Sequence, residues 1–178
     1  MKFEFSAGGI VYKRERTRNQ TNSRKDAKNI LVLVAQHSQH HGWVFPKGLI
    51  NEKSKVKGQK SKVARETKDE AALREVKEET GIVGKIIKPL TPVTYWYAFQ
   101  GDPSTGSGQR KIKKTVYYFL MEYVSGDTKD HDFEMENVEW LAMDEVENRL
   151  TYKSDKEVWK QTREKILNLK HQISNKSQ

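Results

Sequence analysis

The sequence predicts an α/β fold in which a β-sheet packs against helices. Near the N-terminus, residues 3–13 and 29–37 are rich in β-branched and aromatic residues, and a polar, basic stretch separates them. Farther along, residues 66–82 combine a helix-start signal, helical periodicity and a helix-stop signal. Because strand-like and helical segments share one chain of 178 residues, we expect a single domain spanning 1–178.

The first two strands should form a hairpin. Residues 3–13 contain Gly8 and Gly9, and paired glycines within a strand mark a bend or a close approach by another segment. Residues 29–37 form an almost continuous apolar run, which is typical of a strand buried on both faces. The polar and basic residues 14–28 between them are expected to form a surface loop.

The central helix has clear boundaries in the sequence. Thr67 followed three residues later by Glu70 is a capping box, so the helix should begin at about Lys68. Gly81 is the usual left-handed residue that ends a helix. These signals predict about thirteen helical residues.

This helix presents acid on one face and apolar side chains on another. Glu75, Glu78 and Glu79 stand at i, i+3 and i+4, where like charges repel each other near the negative end of the helix dipole. A bound divalent cation would offset both the repulsion among the glutamates and their unfavourable position at the negative end of the dipole. Carboxylate oxygens are ligands that hard cations prefer. By itself the pattern also fits a solvated glutamate face with Arg74 and Lys77 as partners. The apolar stripe of the helix is expected to consist of Ala72, Leu73 and Val76.

The same segment resembles the signature of the Nudix hydrolases. In that signature a glycine, five residues, a glutamate and seven residues precede R-E-U-x-E-E-x-G-U, where U is aliphatic. The matching positions here are Glu66, Arg74, Glu75, Val76, Glu78, Glu79, Gly81 and Ile82. The glycine in the right context is Gly48, and seventeen residues separate it from Glu66, which indicates an insertion of twelve.

The resemblance implies an α/β/α sandwich with a mixed sheet and a metal-dependent cleavage of a phosphoanhydride. Glu75 and Glu79 would be the principal ligands of Mg²⁺ or Mn²⁺, and Glu78 would bind directly or through water. Gly48 would lie beside the metal, and Arg74 would orient a carboxylate. A further glutamate of the family falls on Glu134, as metal ligand or base, with Glu136 as the second choice. The chain has no cysteine, which leaves oxygen or histidine as metal ligands.

Two further segments resemble the branch of the family that hydrolyses diadenosine polyphosphates. The sequence Phe-Pro-Lys-Gly ending at Gly48 is typical of that branch and marks Lys47, and Pro46 and Gly48 should place it in a turn. Residues 114–119 resemble its substrate hairpin, which assigns Lys114 to the phosphate chain and Tyr118 to the border of the nucleoside site. Diadenosine tetraphosphate or a related dinucleoside polyphosphate is therefore the favoured substrate.

Other functions remain open at this stage. Relatives in the superfamily act on ADP-ribose, 5′-triphosphorylated RNA, oxidised nucleoside triphosphates or diphosphoinositol polyphosphates, and a non-catalytic binding module is also compatible with the fold. The expected partner is a small nucleotide, with nucleic acid only as a 5′-triphosphate end. Neither a signal peptide nor a membrane span is apparent, which favours a cytoplasmic protein. The sequence does not predict the oligomeric state.

The remaining segments complete the predicted sheet and its cover. Residues 82–90, 91–99 and 109–124 read as strands, with a hairpin loop at 101–108. Residues 131–150 resemble the closing strand and short helix of the family. A C-terminal helix is expected over 154–172, followed by a frayed tail at 173–178, and the insertion makes 49–65 a basic loop. The net charge of +9 suits an anionic partner.

Overall fold

Eight strands and three helices follow one another in the computed structural model, which describes residues 2–15, 30–51, 66–99 and 110–174. The strands are β1 (Lys2–Arg14), β2 (Ile30–His37), β3 (Trp43–Val44), β4 (Lys47–Leu49), β5 (Ile82–Pro89), β6 (Val93–Phe99), β7 (Arg110–Gly126) and β8 (Met135–Ala142). The helices are α1 (Lys68–Thr80), α2 (Val146–Arg149) and α3 (Lys153–Ser174), and a 3-10 turn spans Thr128–Asp130.

All eight strands belong to one mixed sheet. At its centre β1 runs parallel to β7 from the pair Lys2 and Ile112 to the pair Tyr12 and Glu122. The other pairings are antiparallel: β1 with β2 and β4, β2 with β3 and β8, and β7 with β5 and β6. The predicted hairpin of the first two strands is thereby confirmed.

Helices cover both faces of this sheet. Buried side chains of α1, including Ala72 and Val76, pack with Val11 and Leu33 on one face. On the other face, Trp159 and further residues of α3 pack with the opposite sides of β1, β2 and β7. The α/β/α sandwich with a mixed sheet is therefore confirmed.

Helix α1 has the predicted boundaries. Thr67 and Glu70 form both hydrogen bonds of the capping box, and Gly81 ends the helix with φ of 71°. The predicted apolar stripe is wrong at Leu73, which is 39% exposed, whereas Ala71, Ala72 and Val76 are fully buried. The buried residues of the helix are Ala71, Ala72, Glu75, Val76, Glu79 and Thr80. At 3.6 residues per turn, Leu73 lies at the edge of the face that they form, where its long side chain reaches solvent.

Gly8 permits the close approach that its position predicts. A Cβ on Gly8 would lie 2.2 Å from the carbonyl oxygen of Pro46, and the amide of Gly9 donates to that oxygen at 3.1 Å. The expected turn at Gly48 is wrong, because Lys47–Leu49 is a short strand that pairs with β1. Pairing with β1 fixes the backbone of Lys47 and Gly48 next to α1.

Helix α3 lies where the C-terminal helix was expected, and its buried side chains include Val158, Trp159 and Ile166. The described residues leave out most of the loops expected at 14–28 and 49–65. They also leave out the hairpin loop at 101–108 and the end of the tail at 173–178. Within the described ranges, no helix is both long and apolar enough to cross a membrane.

Candidate active site

Glu79 is the most buried carboxylate that α1 contributes to the site. Its side chain faces the sheet, the residue is 4% exposed, and its Oε2 accepts a hydrogen bond of 2.8 Å from the backbone amide of Lys47. Burial raises the pKa of Glu79 to about 8, against the opposing influence of the charge and amide of Lys47. A buried glutamic acid with a raised pKa can release its proton when a cation binds to its carboxylate.

Glu75 lies one turn earlier and touches Gly48. A Cβ on Gly48 would lie 2.1 Å from the carboxyl carbon of Glu75, so no residue with a side chain fits there while Glu75 keeps this position. Burial raises the pKa of Glu75, and the adjacent Arg74 opposes that rise. The structure thus brings Gly48, Glu75 and Glu79 together despite the long insertion that separates Gly48 from α1.

Arg74 connects the carboxylates of this region. Its Nη1 donates to Glu75 at 2.6 Å and to Glu78 at 2.9 Å, while Nε and Nη2 donate to Glu66 at 2.8 and 3.0 Å. Nη2 also donates to the carbonyl oxygen of Leu49 at 3.0 Å. These carboxylates, led by Glu66, hold the pKa of Arg74 well above its usual range. Arg74 therefore contacts the carboxylates of Glu66, Glu75 and Glu78, of which Glu78 is the most solvent-exposed.

A cavity of about 960 Å³ opens over these carboxylates. Lys47, Lys114, Glu75, Glu79 and Glu134 line it together with Gly48. Burial, followed by the charge of nearby Lys47, lowers the pKa of Lys114. The two lysines predicted to bind substrate are thus close to each other and to the acids of α1.

The two candidates for the additional glutamate differ in position. Glu134 lies in the turn before β8, where its carbonyl oxygen accepts from Ser38 and its side chain borders the cavity. Its negative charge adds to the effect of burial in raising the pKa of Glu75 and Glu79. Glu136 instead contacts His41, with Nδ1 and Oε2 separated by 2.6 Å, and does not line the cavity. Glu134 is therefore the better candidate.

The expectation that Tyr118 borders the nucleoside site is wrong. Tyr118 is 3% exposed in the core between β7 and α3, and its hydroxyl donates to Asp155 Oδ1 at 3.2 Å. The same carboxylate oxygen accepts from the amide of Phe45 at 3.2 Å. Tyr118 and Asp155 therefore support the segment before Lys47 from beneath the cavity.

Other rings, which the sequence analysis did not single out, line the cavity: Tyr95, Trp96, Tyr97, Tyr152, His37 and His40. Tyr95 pairs across the strands with Lys114, and the alternation of tyrosines in β6 opposite that lysine was an available signal. Tyr152 comes from the start of α3, and its hydroxyl lies 2.9 Å from Nδ1 of His40. Nothing in the local sequence of Tyr152 indicates its place in the cavity, because the tertiary fold brings it there.

The residues present fit a divalent cation held by oxygen ligands. Glu75 and Glu79 are buried acids facing one polar cavity, and Gly48 leaves room beside Glu75. Across the described parts of the chain, no three side chains are already arranged around a common metal position. The reason is that Glu75 and Glu78 are directed toward Arg74, while Glu79 is directed toward the amide of Lys47.

The amino-acid sequence was compared with family models and with curated proteins. A family model described as NUDIX domain matches residues 18–162. The chain is 31% identical over 155 residues to a putative mutator protein MutT4 of Mycobacterium tuberculosis, covering 86% of this chain and 52% of that protein. It is 28% identical over 127 residues to an 8-oxo-(d)GTP phosphatase of Mycolicibacterium smegmatis, covering 71% and 32%. The chain thus spans about half the length, or less, of these curated relatives.

Solved structures share the fold. A C. elegans Ap4A hydrolase in a binary complex aligns with a TM-score of 0.57 and 20% identity, covering 93% of this chain and 98% of that one. The NUDIX domain of Shewanella oneidensis NrtR, complexed with ADP ribose, aligns with a TM-score of 0.55 and 18% identity, covering 93% and 90%. At these identities the likeness concerns the fold alone.

Proposed function

Because the chain belongs to the Nudix family, whose members generally use divalent metal ions, we propose that it is a magnesium-dependent hydrolase of dinucleoside polyphosphates such as diadenosine tetraphosphate. The observation that carries this proposal is the pairing of Lys114 with Tyr95 in the cavity that also contains Glu75 and Glu79. An ammonium group suits the phosphate chain, and an adjacent tyrosine ring suits stacking on a base.

Several rings and several charges share this cavity, as a substrate with two nucleosides and a long phosphate chain requires. Tyr95, Tyr97 and Tyr152 offer aromatic surface, and Lys47 and Lys114 offer positive charge. Burial raises the pKa of Tyr95 to about 12, so its phenol stays neutral at physiological pH. A neutral ring stacks on a base without repelling the neighbouring phosphates.

Some carboxylates of the site are suited to bind the metal, and Glu66 is suited to hold Arg74 in place. Glu75 and Glu79, with Glu78 and Glu134 nearby, would hold Mg²⁺, which when bound neutralises the phosphate chain and lowers the pKa of water for attack. Arg74 keeps Glu75 and Glu78 oriented, and Glu66 in turn holds Arg74. Glu134 lies at the exposed rim of the cavity, where it is suited to accept a proton from an attacking water.

An oxidised nucleoside triphosphate is the second candidate substrate. The relative named as an 8-oxo-(d)GTP phosphatase is 28% identical, and the 31% identical relative is described as a putative mutator protein. The same lysines would meet a triphosphate, and one aromatic ring would be sufficient for a single base. Two nucleosides, by contrast, would use rings from both β6 and the start of α3.

A substrate panel tests the proposal. The purified chain would be incubated with Mg²⁺ and diadenosine tetraphosphate, 8-oxo-dGTP, ADP-ribose, 5′-triphosphorylated RNA or a diphosphoinositol polyphosphate, with products identified by mass spectrometry. We expect the highest kcat/KM for diadenosine tetraphosphate. A higher value for 8-oxo-dGTP or ADP-ribose would refute the dinucleotide assignment, and binding without turnover of any compound would indicate a non-catalytic module. Glu79→Gln and a chelator serve as controls.

A further inference from the structure

Three aromatic side chains are exposed on the face of the sheet that also carries α1. Phe3 and Phe5 of β1 are 56% and 48% exposed, and Trp96 of β6 is 52% exposed. Exposed apolar side chains that occur singly are normal, whereas a contiguous group of them marks a ligand or partner site. The site described above does not use Phe3 or Phe5.

The strand register places two of these rings in one line. On one side of β7, Phe3 is the neighbour of Lys113, and on the other side Trp96 is the neighbour of the same lysine. Lys113 Nζ lies 5.6 Å from the centroid of the Trp96 ring. Phe3, Lys113 and Trp96 therefore form a line of ring, cation and ring across three adjacent strands, which we term the aromatic row.

The strand residues that share the face of the aromatic row are basic or uncharged, and Glu66 of the cavity beside Phe3 is paired with Arg74. Because side chains alternate along a strand, Lys111 and Thr115 share the face of Lys113, and Ala98 and Thr94 share the face of Trp96. No carboxylate of the described parts of β1, β6 and β7 lies on this face between Phe3 and Tyr117. The nearby Glu4 projects to the opposite face, where it accepts from the hydroxyl of Tyr97 at 2.6 Å.

Rings flanked by lysines match the chemistry of single-stranded nucleic acid. Bases stack on aromatic side chains regardless of their identity, and ammonium groups meet the phosphates between them. A second copy of the chain fits less well, because a symmetric contact would bring Lys111 and Lys113 against themselves. We propose that the aromatic row is a binding surface for single-stranded nucleic acid, with bases on Phe3 and Trp96 and phosphates at Lys111 and Lys113.

Phe3 and Lys113 lie outside the cavity of the proposed hydrolytic site, whereas Trp96 also borders that cavity. Tyr95 and Tyr97 flank Trp96 in sequence, and their side chains project to the other face of β6, toward Lys114 and Glu4. The proposal therefore needs no polyphosphate on the ligand. An oligonucleotide with a 5′-hydroxyl group tests it independently of any hydrolase activity.

The test measures fluorescence anisotropy of a labelled twelve-nucleotide oligouridine with a 5′-hydroxyl, titrated with the full chain at several salt concentrations. Trp96→Ala and Phe3→Ala should each weaken binding by about tenfold, although neither changes the charge, because each removes one stacking surface. Trp96→Phe should retain most of the affinity. Lys113→Gln should reduce the slope of log affinity against log salt by about 0.7, the value for one phosphate contact on a single strand.

Phe133→Ala and Lys85→Gln are the matched controls. Phe133 is 88% exposed in the turn before β8, and Lys85 is exposed on β5, so both lie away from the aromatic row. Thermal unfolding verifies that each variant is folded. No binding by the unmutated chain, losses below twofold in both aromatic variants, or an equal loss in Phe133→Ala would overturn the proposal. Sedimentation showing a dimer that Trp96→Ala dissociates would assign the face to a second copy instead.

Discussion

Arg74 holds Glu66 by two parallel hydrogen bonds, from Nε to Oε1 at 2.8 Å and from Nη2 to Oε2 at 3.0 Å. Glu66 is the residue just before the N-cap of α1, and Arg74 lies at the middle of the helix. The remaining Nη1 group donates to Glu75 and Glu78. One guanidinium thus joins the chain entering α1 to the acids that α1 presents.

Glu66→Gln should lower both stability and turnover. The amide keeps one acceptor but loses the paired geometry and the charge, so the free energy of unfolding should fall by about 1–3 kcal/mol. Because Arg74 then has freedom to turn, kcat should fall while KM changes little. Urea unfolding and steady-state kinetics measure both effects. Glu139→Gln is the control, since the side chains of Arg149 and Glu139 are 38% and 42% exposed and their pair should contribute under about 1 kcal/mol.

Gly48→Ala should abolish activity at little cost in stability. The new methyl group would collide with the carboxyl of Glu75, which is the far end of a flexible side chain and can turn away. We therefore expect a loss of kcat of more than about 100-fold, as for other misplaced catalytic groups. The change in Tm should stay within a few degrees. A variant with unchanged kcat would show that Glu75 does not need this position during the reaction.

Glu79→Gln should stabilise the metal-free protein at high pH. The pKa of Glu79 is about 8 in the folded chain, against an ordinary value of 4.5. A raised pKa means that the contribution of this group to stability is fully present below pH 4.5 and is lost progressively as the pH rises to about 8. Glutamine does not ionise, so the variant does not lose this stability. The free energy of unfolding of Glu79→Gln, relative to that of the unmutated protein, should therefore be higher at pH 9 than at pH 4 by on the order of 3–5 kcal/mol.

Chemical denaturation with a chelator present, at a series of pH values between 4 and 9, measures this difference. Glu164→Gln removes an exposed carboxylate of α3 and should show almost no change of its effect with pH. Adding Mg²⁺ at pH 9 should stabilise the unmutated protein and not the Glu79→Gln variant. Equal stability of both proteins across the pH range would mean that Glu79 is ionised and well paired without a cation.

Lys114→Ala should discriminate between substrates by their charge. A tetraphosphate bridge offers more anionic oxygens to this ammonium group than the diphosphate of ADP-ribose does. We expect KM for diadenosine tetraphosphate to rise by roughly 10- to 100-fold, the equivalent of one charge-assisted hydrogen bond. For ADP-ribose the rise should stay below about threefold. Equal losses for both would assign Lys114 to a shared phosphate, and Lys85→Ala provides the control at an exposed lysine.

The sequence allowed correct prediction of those features that short-range physics determines. The start and end of α1 follow from hydrogen bonds between residues three or four apart, and the projection of Glu75 and Glu79 follows from helical phase. The position of Gly48 beside Glu75 followed from the family resemblance. The predictions for Leu73 and Tyr118 failed because burial of each side chain depends on how closely whole elements pack. Tyr152 was missed for the related reason that it reaches the cavity from the far end of the chain.

The insertion before α1 is closed at its base. Asn51 and Glu66 form two hydrogen bonds of 3.0 Å, from the amide of Glu66 to the carbonyl oxygen of Asn51 and from the amide of Asn51 to Oε2 of Glu66. Removing twelve of the fourteen residues 52–65 would leave two residues between Asn51 and Glu66. The first of these hydrogen bonds would then be the i to i+3 bond of an ordinary β-turn.

A variant in which residues 52–65 are replaced by Asn-Gly should therefore fold and keep its kcat. The replaced stretch carries six basic residues and one acid, so its removal takes away net positive charge between Asn51 and Glu66. Such a charge acts over about 8 Å at physiological ionic strength and mainly raises the rate of encounter with polyanions. We expect kcat/KM for diadenosine tetraphosphate to fall at low salt, and the difference from the unmutated chain to vanish as salt is raised. Loss of kcat at every salt concentration would show instead that the insertion completes the catalytic structure.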